Sequence, residues 1–299
     1  VIGAAVAGGR AMTSSSSPGI SLKQEGISYL AGMELPAVII NMMRGGPGLG
    51  NIAPSQADYF QATKGGGHGD YRLLVLAPAG CQELAELTFE AFDLADRYRN
   101  PVMLLGDGLM GQMMEPVVFP DLVDPANLPK KDYILEGCAG REARRVFSMM
   151  LDVNVLAAHN EKLRRKYESM AENEVRWETY KVEDADTVIV AYGTASRIAK
   201  GAVNRLRKEG LKVGLFRPIS LFPYPKQALR LLSEKVKRIC VFELSAGQMV
   251  EDAVLSVGGR AEIWFFGLPG GPIPTPADIA EYILSVLKGD GRIGRRVEV

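Results

Sequence analysis

The chain has 299 residues, and its 35 Lys and Arg balance 35 Asp and Glu, so the formal net charge is zero at pH 7. This balance provides no bulk electrostatic field that would favour nucleic acid or an anionic membrane surface as a partner. Hydrophobic residues make up 47% and charged residues 23%, an ordinary globular composition, and the length predicts about two domains.

The three cysteines, Cys81, Cys138 and Cys240, lie far apart and form no C-x-x-C pair. This spacing argues against a zinc site, a disulfide framework or an iron–sulfur cluster held by this chain alone. No apolar run approaches the ~20 residues that a membrane span needs, and no signal peptide is visible. We therefore predict a cytoplasmic protein that binds neither nucleic acid nor membrane.

Apolar runs and helical spacings alternate along the first part of the chain. Residues 1–9 resemble the back half of a helix, so we expect the chain to begin inside a fold. Runs rich in Ile, Val and Leu predict buried strands, and apolar positions at helical spacing predict amphipathic helices. In chain order, the predicted strands are residues 10–12, 37–40, 73–77 and 102–105, and the predicted helices are residues 20–31 and 81–97.

A charged segment, residues 141–178, is predicted to be largely helical, and His159 within it is interpreted as a surface residue. A second set of alternating elements follows, and the tail from residue 289 is predicted to be loose. Strands alternating with helices indicate βαβ units, so the predicted fold class is α/β with mainly parallel sheets. The second set has strands at residues 187–192, 212–216, 238–242 and 263–266, and helices at residues 197–209, before 232 and after 249.

The strongest candidate for a ligand contact is Arg44, which comes just after the predicted strand at residues 37–40. In open α/β sheets, ligands bind in the crevice beyond the carboxyl ends of the strands. A guanidinium in that place can hold a carboxylate or phosphate by two parallel hydrogen bonds. The glycines that follow allow the backbone to pack close to a ligand; they are Gly45, Gly46, Gly48 and Gly50.

Two further polar segments are weaker candidates. The serine run 14–17 precedes a predicted helix, where hydroxyls and free backbone N–H groups can bind an anion or simply cap the helix. His68 lies among glycines, where a binding role and a merely exposed position are equally plausible. A dinucleotide fingerprint is rejected because Pro47 and Pro54 stand where a helix should begin. The segments around Tyr192 and Glu243 fit packing turns or subunit contacts as well as chemistry.

Three segments carry a family resemblance: TSSSSPGISLKQEGISYLAGMELP, MMRGGPGLGNIAPSQADYFQATKGGGHGDYR and YRNPVMLLGDGLMGQMMEP. Together they resemble the alpha chain of the thiamine-diphosphate-dependent 2-oxoacid:ferredoxin oxidoreductases, and most of all the 2-oxoisovalerate (3-methyl-2-oxobutanoate) branch. The similarity covers nearly the whole chain. It implies a pyrimidine-type thiamine diphosphate domain over residues 1–150 that lacks its N-terminal part. A helical linker over residues 151–184 and a transketolase C-terminal-like domain over residues 185–299 follow.

The resemblance implies a shared active site. Thiamine diphosphate lies between this chain and a beta subunit that holds the diphosphate and Mg²⁺, while gamma and delta subunits carry iron–sulfur clusters. The resemblance also implies coenzyme A as the cosubstrate and ferredoxin as the electron acceptor. The family's pyrimidine-activating glutamate lies upstream of Val1, so we expect neither a catalytic residue nor a metal ligand in this chain. The implied substrate contacts are Arg44, Leu49 and His68, and the implied cofactor contacts are Ser14, Ser15, Ser16 and Gly45.

The leading hypothesis is CoA-dependent oxidative decarboxylation of a branched-chain 2-oxoacid, 2-oxoisovalerate. In 2-oxoglutarate members of the family the run after the arginine carries Ser and Thr, whereas this chain has Gly48 and Leu49. Leu49 therefore favours an aliphatic substrate, or it merely packs under the loop. The alternatives are a non-catalytic assembly subunit, the same chemistry on pyruvate or another 2-oxoacid, and a transketolase-like enzyme without redox chemistry.

Overall fold

The computed structural model describes residues 1–271, 273–289 and 294–297. The described chain forms two sheets, one of five strands and one of six, with helices packed against them. The α/β prediction is confirmed. Within the described part, no helix has both the length and the apolar composition that a membrane crossing requires.

The first sheet is built around two almost completely buried strands, which explains their continuous apolar sequences. Its strands are β1 (Met12–Ser15), β2 (Ala37–Met43), β3 (Leu74–Leu76), β4 (Pro101–Asp107) and β8 (Ser220–Phe222). The strand order is β1-β2-β4-β3-β8; the first four strands are parallel, and β8 pairs antiparallel with β3 at one edge. The helices are α1 (Ile2–Val6), α2 (Ser17–Gly32), α3 (Tyr59–Thr63) and α4 (Cys81–Tyr98).

The connection between the sheets is less helical than its sequence predicts. Helix α5 covers Val153–Asn173, beginning where the Asp152 side chain accepts hydrogen bonds from the N–H groups of Asn154 and Val155. Strand β5 (Trp177–Tyr180) then pairs antiparallel with the second sheet. Before α5, residues 113–152 carry one short 3₁₀ turn, Pro125–Asn127, and otherwise irregular backbone.

The second sheet has the order β11-β10-β9-β6-β7-β5, with four parallel strands between antiparallel edges. Part of the tail predicted to be loose is strand β11, while residues 290–293, 298 and 299 lie outside the described residues. The strands are β6 (Thr187–Val190), β7 (Val213–Pro218), β9 (Arg238–Glu243), β10 (Glu262–Gly267) and β11 (Arg295–Val297). The helices are α6 (Gly193–Lys208), α7 (Lys226–Ser233), α8 (Met249–Val257) and α9 (Pro276–Leu287).

One buried apolar cluster spans the two sheets. Strand β8 leaves the second half of the chain to complete the edge of the first sheet. Leu221 of β8 and Tyr192 belong to the same buried apolar cluster as Val75 of the first sheet and Val241 of the second. Packing is therefore continuous across the junction.

Candidate active site

Polar residues collect at the carboxyl-terminal edge of the first sheet, where its parallel strands end together. Strand β1 ends at Ser15, β2 at Met43 and β4 at Asp107, and Met43 is directly opposite Asp107 in the sheet. Arg44 follows immediately after β2. The structure thus brings the serine run and Arg44 to the same edge, which is where ligands bind in open α/β sheets.

The serine run crosses from a strand into a helix. Ser14 and Ser15 end β1, and Ser16 is the N-cap of α2 but makes no side-chain capping bond. No hydrogen-bond partner for the hydroxyls of Ser14, Ser15 and Ser16 occurs in the described part of the chain. These hydroxyls therefore do not cap the helix. They are free to bind a polar ligand group at the start of α2.

Ser17 connects the helix to Arg44 through a partly buried hydrogen-bond network. The hydroxyl of Ser17 donates to Asp58 Oδ2 at 2.6 Å, and Asn41 Nδ2 donates to the same oxygen at 2.9 Å. The backbone N–H of Arg44 in turn donates to the Ser17 hydroxyl oxygen at 3.0 Å. The base of the Arg44 loop is thereby fixed to the start of α2.

Arg44 is half-buried and begins a closed loop. Its backbone forms an isolated bridge with Pro54, and its guanidinium NH1 donates to the carbonyl of Asn51 at 3.0 Å. Among the residues that the structure describes, no carboxylate forms an ion pair with this guanidinium. A cation without a counter-ion at the ligand edge of the sheet is well suited to receive an anionic group.

Two glycines make the loop compact. The N–H of Asn51 donates to the carbonyl of Gly45 at 2.9 Å, and a Cβ at Gly50 would lie 1.7 Å from that same carbonyl oxygen. Gly50 also has a φ of 55°, which disfavours other residues. A Cβ at Gly45 would lie 2.4 Å from Asn51 Oδ1 and 3.2 Å from the Cα of Gly270. Gly45 is therefore required for packing inside the chain, which is a different reason from the predicted approach to a cofactor.

The outer part of the loop carries two exposed apolar side chains. Leu49 is 79% exposed and Ile52 is 81% exposed. Leu49 does not pack under the loop, so that alternative is wrong. Ile52 was not predicted as a site residue, although it lies on the same loop. Large apolar side chains left in water cost free energy in the isolated chain, so both are suited to contact an apolar group or another surface.

Asp107 is a buried carboxylate at the same edge of the sheet, 1% exposed. Burial raises the pKa of its carboxyl above the ordinary value, although hydrogen bonds from the N–H groups of Leu109 and Met110 oppose that rise. Perturbed carboxyls in such positions are frequent at functional sites. Its sequence context, the end of a predicted strand, could have drawn attention to it.

His68 is held at a different place. The Ser28 hydroxyl donates to the carbonyl of His68 at 2.6 Å, and from Ser17 to Ser28 the helix rises about 16 Å at about 1.5 Å per residue. The loop that contains His68 leads into the start of β3, at the amino-terminal ends of the parallel strands, whereas Arg44 lies at their carboxyl-terminal ends. Within this chain the structure does not bring His68 and Arg44 together, and the imidazole of His68 is exposed.

No cluster of His, Cys, Asp and Glu side chains with the geometry of a metal site occurs among the described residues. The three cysteines also remain apart, with Cys240 buried and Cys138 exposed.

Comparison with known proteins identifies the family. Residues 1–180 match the model described as pyruvate flavodoxin/ferredoxin oxidoreductase, thiamine diphosphate-binding, and residues 185–279 match pyruvate:ferredoxin oxidoreductase core domain II. The chain belongs to the pyruvate flavodoxin/ferredoxin oxidoreductase family. The predicted family and its class, oxidoreductase, are confirmed. The segment that carries the serine run and Arg44 is part of the family's thiamine diphosphate-binding domain.

Relatives within the family differ in substrate. The chain is 54% identical over 262 residues to ketoisovalerate oxidoreductase subunit VorB of Methanothermobacter marburgensis, covering 87% of this chain and 74% of that protein. It is 39% identical over 257 residues to 2-oxoglutarate synthase subunit KorA of Archaeoglobus fulgidus, covering 84% of this chain and 73% of that protein.

A solved structure supports the fold of this family member. The 2-oxoglutarate:ferredoxin oxidoreductase from Magnetococcus marinus, with 2-oxoglutarate, coenzyme A and succinyl-CoA bound, superimposes with a TM-score of 0.78 at 24% identity. The match covers 95% of this chain, and this chain spans 54% of the length of that one. At this identity the likeness establishes the fold alone.

Proposed function

We propose that this chain is the alpha subunit of a 2-oxoacid:ferredoxin oxidoreductase that oxidatively decarboxylates 2-oxoisovalerate to an acyl-CoA and CO₂. The observation that carries the proposal is Arg44, a half-buried guanidinium at the carboxyl edge of the first sheet, without an ion-pair partner in the described chain. The 54% sequence identity to the ketoisovalerate oxidoreductase subunit VorB, over 87% of this chain, supports 2-oxoisovalerate as the substrate.

Arg44 binds and orients the substrate in this proposal. Every 2-oxoacid has a carboxylate next to its reacting carbonyl, and a planar guanidinium grips a carboxylate through two parallel hydrogen bonds. Because one NH group already donates to the carbonyl of Asn51, the side chain is held in one orientation before substrate arrives. Such preorganisation lowers the entropic cost of positioning the substrate.

The residues at this edge fit a bound thiamine diphosphate. The hydroxyls of Ser14, Ser15 and Ser16, which have no partner in the described chain, can donate to or accept from its polar groups. When bound, the cofactor supplies the electron sink that permits loss of CO₂ from a 2-oxoacid. The Asp107 carboxyl, whose pKa burial raises, lies at the same edge of the sheet.

Leu49 and Ile52 line the apolar side of the substrate site in this proposal. Both are exposed on the loop that begins at Arg44, and neither offers a hydrogen bond to a second carboxylate. An isopropyl group would gain apolar contact there, whereas the distal carboxylate of 2-oxoglutarate would be desolvated without a partner, which is costly.

The remaining components belong to other subunits in this proposal. A beta subunit supplies the diphosphate and Mg²⁺ ligands, and gamma and delta subunits carry the iron–sulfur clusters that pass electrons to ferredoxin; coenzyme A accepts the acyl group. The enzyme is assigned to the cytoplasm. We also propose the division into a thiamine diphosphate domain (1–150), a linker (151–184) and a transketolase C-terminal-like domain (185–299). His68 is then a residue for contact with a partner subunit, since it lies far from Arg44.

The test is turnover by the enzyme complex purified from its source. Carbon dioxide release and acyl-CoA formation are measured with 2-oxoisovalerate, pyruvate and 2-oxoglutarate, using coenzyme A and a low-potential electron acceptor. We expect the highest kcat/KM with 2-oxoisovalerate and no turnover without acceptor. Preference for 2-oxoglutarate, or turnover without any acceptor, would contradict the proposal.

A further inference from the structure

The segment that closes the Arg44 loop is attached to the second half of the chain as well as to the first sheet. After Pro54, the chain passes directly against the end of β9 and the start of α8. Ser55 and Gln56 are completely buried there. The second half of the chain therefore helps to hold the segment that closes the loop.

Gln56 forms hydrogen bonds, through both its backbone and its side chain, with residues that lie just after the ends of strands β9 and β6 of the second sheet. Its backbone N–H donates to the carbonyl of Leu244 at 2.7 Å, and its side-chain Oε1 accepts from the N–H of Leu244 at 2.9 Å. Its Nε2 donates to the carbonyl of Tyr192 at 2.9 Å, and the Tyr192 hydroxyl donates back to the carbonyl of Gln56 at 3.2 Å. All these groups are buried, so the bonds fix the segment in one register.

Gln248 holds the next residues of the same segment. Its Nε2 donates to the carbonyl of Ala57 at 2.6 Å, and its Oε1 accepts from the N–H of Phe60 at 2.7 Å. A carbonyl can only accept and an N–H can only donate, so the two partners together fix the orientation of the amide. Gln248 therefore spans the start of α3 from the second sheet.

Glu243 in turn fixes Gln248. The Glu243 carboxylate is fully buried and accepts from the backbone N–H groups of Gln248, Met249 and Val250 at 3.1–3.2 Å, and from the Ser245 hydroxyl at 2.8 Å. An acidic group at the start of a helix is a favourable arrangement. The support for Gln248 is thus rigid.

The path from these glutamines to the substrate site is short along the chain. Gln56 follows Pro54, which forms a bridge with Arg44, and Asn51 bonds both Arg44 NH1 and the carbonyl of Gly270. Any shift of residues 55–60 moves the closing strand of the loop and, with it, the carbonyl that orients the guanidinium.

We propose that Gln56 and Gln248 are positioning residues, through which the second sheet holds the Arg44 loop in the geometry that accepts the 2-oxoacid carboxylate. The second half of the chain then acts in catalysis without touching the substrate. This inference rests on the proposed role of Arg44 in binding the 2-oxoacid.

The test compares Gln248→Ala with Asn100→Ala in the complete enzyme complex. Asn100 is a matched control because its buried side-chain amide also makes two hydrogen bonds, to the carbonyls of Arg72 and Pro101, at the other edge of the first sheet. We expect Gln248→Ala to raise KM for 2-oxoisovalerate about tenfold or more with a smaller change in kcat, since small misplacements of binding groups have effects up to about a hundredfold. Asn100→Ala should lower stability and leave KM unchanged. Gln248→Glu keeps an oxygen that can accept from the N–H of Phe60 but loses the N–H that donates to the carbonyl of Ala57. We therefore expect a KM between those of the wild type and Gln248→Ala.

Amide hydrogen exchange gives a second readout that does not depend on activity. Residues 45–53 should exchange faster in Gln248→Ala than in the wild type or in Asn100→Ala, because the loop has lost its support. Equal KM changes in both variants, or unchanged exchange in the loop, would overturn the inference. If the wild type turned over no 2-oxoacid, the proposed function would fall, and faster loop exchange would still support the positioning role.

Discussion

Arg44 brings a positive charge to the edge of a sheet, where the only described polar contact of its guanidinium is the backbone carbonyl of Asn51. Changing Arg44 to Ala should lower kcat/KM for 2-oxoisovalerate about tenfold to a hundredfold, because a charge-assisted hydrogen bond contributes about 1.5–3 kcal/mol. Arg44→Lys should recover part of the loss, since an ammonium cannot form the planar pair of bonds. Steady-state kinetics of the complete complex measure both effects.

Arg205→Ala is the control for that experiment. Arg205 is an exposed arginine on α6 that makes a long ion pair with Glu209 at 3.8 Å. Its removal should leave kcat/KM unchanged. Kinetics of Arg44→Ala equal to those of the control would place the carboxylate site elsewhere.

We expect Leu49 to discriminate between substrates that differ at their distal end. Leu49→Thr should narrow the preference for 2-oxoisovalerate over 2-oxoglutarate about tenfold, because packing of one or two methylenes contributes ~1–3 kcal/mol. The measurement is competition between the two acids for the complete complex. Leu255→Thr is the control, since Leu255 is also exposed, at 71%, but lies on α8. A change of the same size in the control would show that Leu49 does not determine specificity.

Asp107 should make stability depend on pH. Because burial raises the folded-state pKa above the unfolded value of about 3.9, the folded chain binds more protons than the unfolded chain between the two pKa values. The contribution of Asp107 to stability is therefore complete below the unfolded pKa and is lost as pH rises through the folded pKa. The free energy of unfolding of the wild type, relative to Asp107→Asn, should fall by up to about 1.4 kcal/mol per pH unit in that window.

Urea unfolding of both proteins from about pH 4 upward measures this difference. Asp121→Asn is the control, because it removes a carboxylate from an exposed position. A constant difference between wild type and Asp107→Asn at all pH values would contradict the expectation.

At the scale of elements, the closed shape of the Arg44 loop depends on the close approach of the Gly50 backbone to the carbonyl of Gly45. Gly48 and Gly50 both have positive φ, 68° and 55°, so Ala at either position costs roughly 1–2 kcal/mol of backbone strain. A Cβ at Gly48 meets open space, whereas a Cβ at Gly50 would collide with the carbonyl of Gly45. Gly50→Ala should therefore lower kcat/KM at least tenfold more than Gly48→Ala. Equal effects would mean that the closed shape of the loop is unimportant for the reaction.

Strands with a strong local pattern of apolar residues can be predicted from the sequence. Short strands whose formation depends on pairing with distant parts of the chain cannot. Strands β2 and β4 were predictable because both faces are buried and the runs are almost entirely apolar. Strands β5 and β8 are short and lie at the edges of sheets, so their pairing partners define them more than their own composition does. Helix α9 was missed although Thr275 and Asp278 form a capping box, a signal that the sequence does contain.

The same distinction applies to the site. The position of Arg44 at the carboxyl edge of the first sheet was predictable because this residue directly follows a recognisable strand. Asn51, Gln56 and Gln248 were not, because their partners are remote in sequence: Asn51 bonds Gly270, and Gln56 bonds Leu244. The separation of His68 from Arg44 was equally hidden, since it follows from the register of the loop against α2.

At the scale of the whole molecule, the continuous core should make unfolding cooperative. One buried cluster includes Val75 and Leu104 of the first sheet together with Val190 and Val241 of the second. Urea unfolding followed by far-UV circular dichroism should therefore coincide with unfolding followed by the fluorescence of the two tryptophans, Trp177 and Trp264.

Leu221→Ala on β8 provides a sharper version of this test. Leu221 is 1% exposed at the junction of the sheets, so the change should lower the free energy of unfolding by about 2–5 kcal/mol. The urea midpoints measured by circular dichroism and by fluorescence should fall together. Two separated transitions in the wild type would show that the halves are independent folding units.

Strand β8 also has a consequence for synthesis of the protein. Because translation proceeds from the N-terminus, β3 is completed at Leu76 long before Ser220 begins the strand that pairs with its outer edge. Until then, the nascent chain carries an unpaired row of backbone donors and acceptors, which readily pairs with other chains. Products of translation that stop between these residues should aggregate, whereas the finished polypeptide supplies its own edge strand.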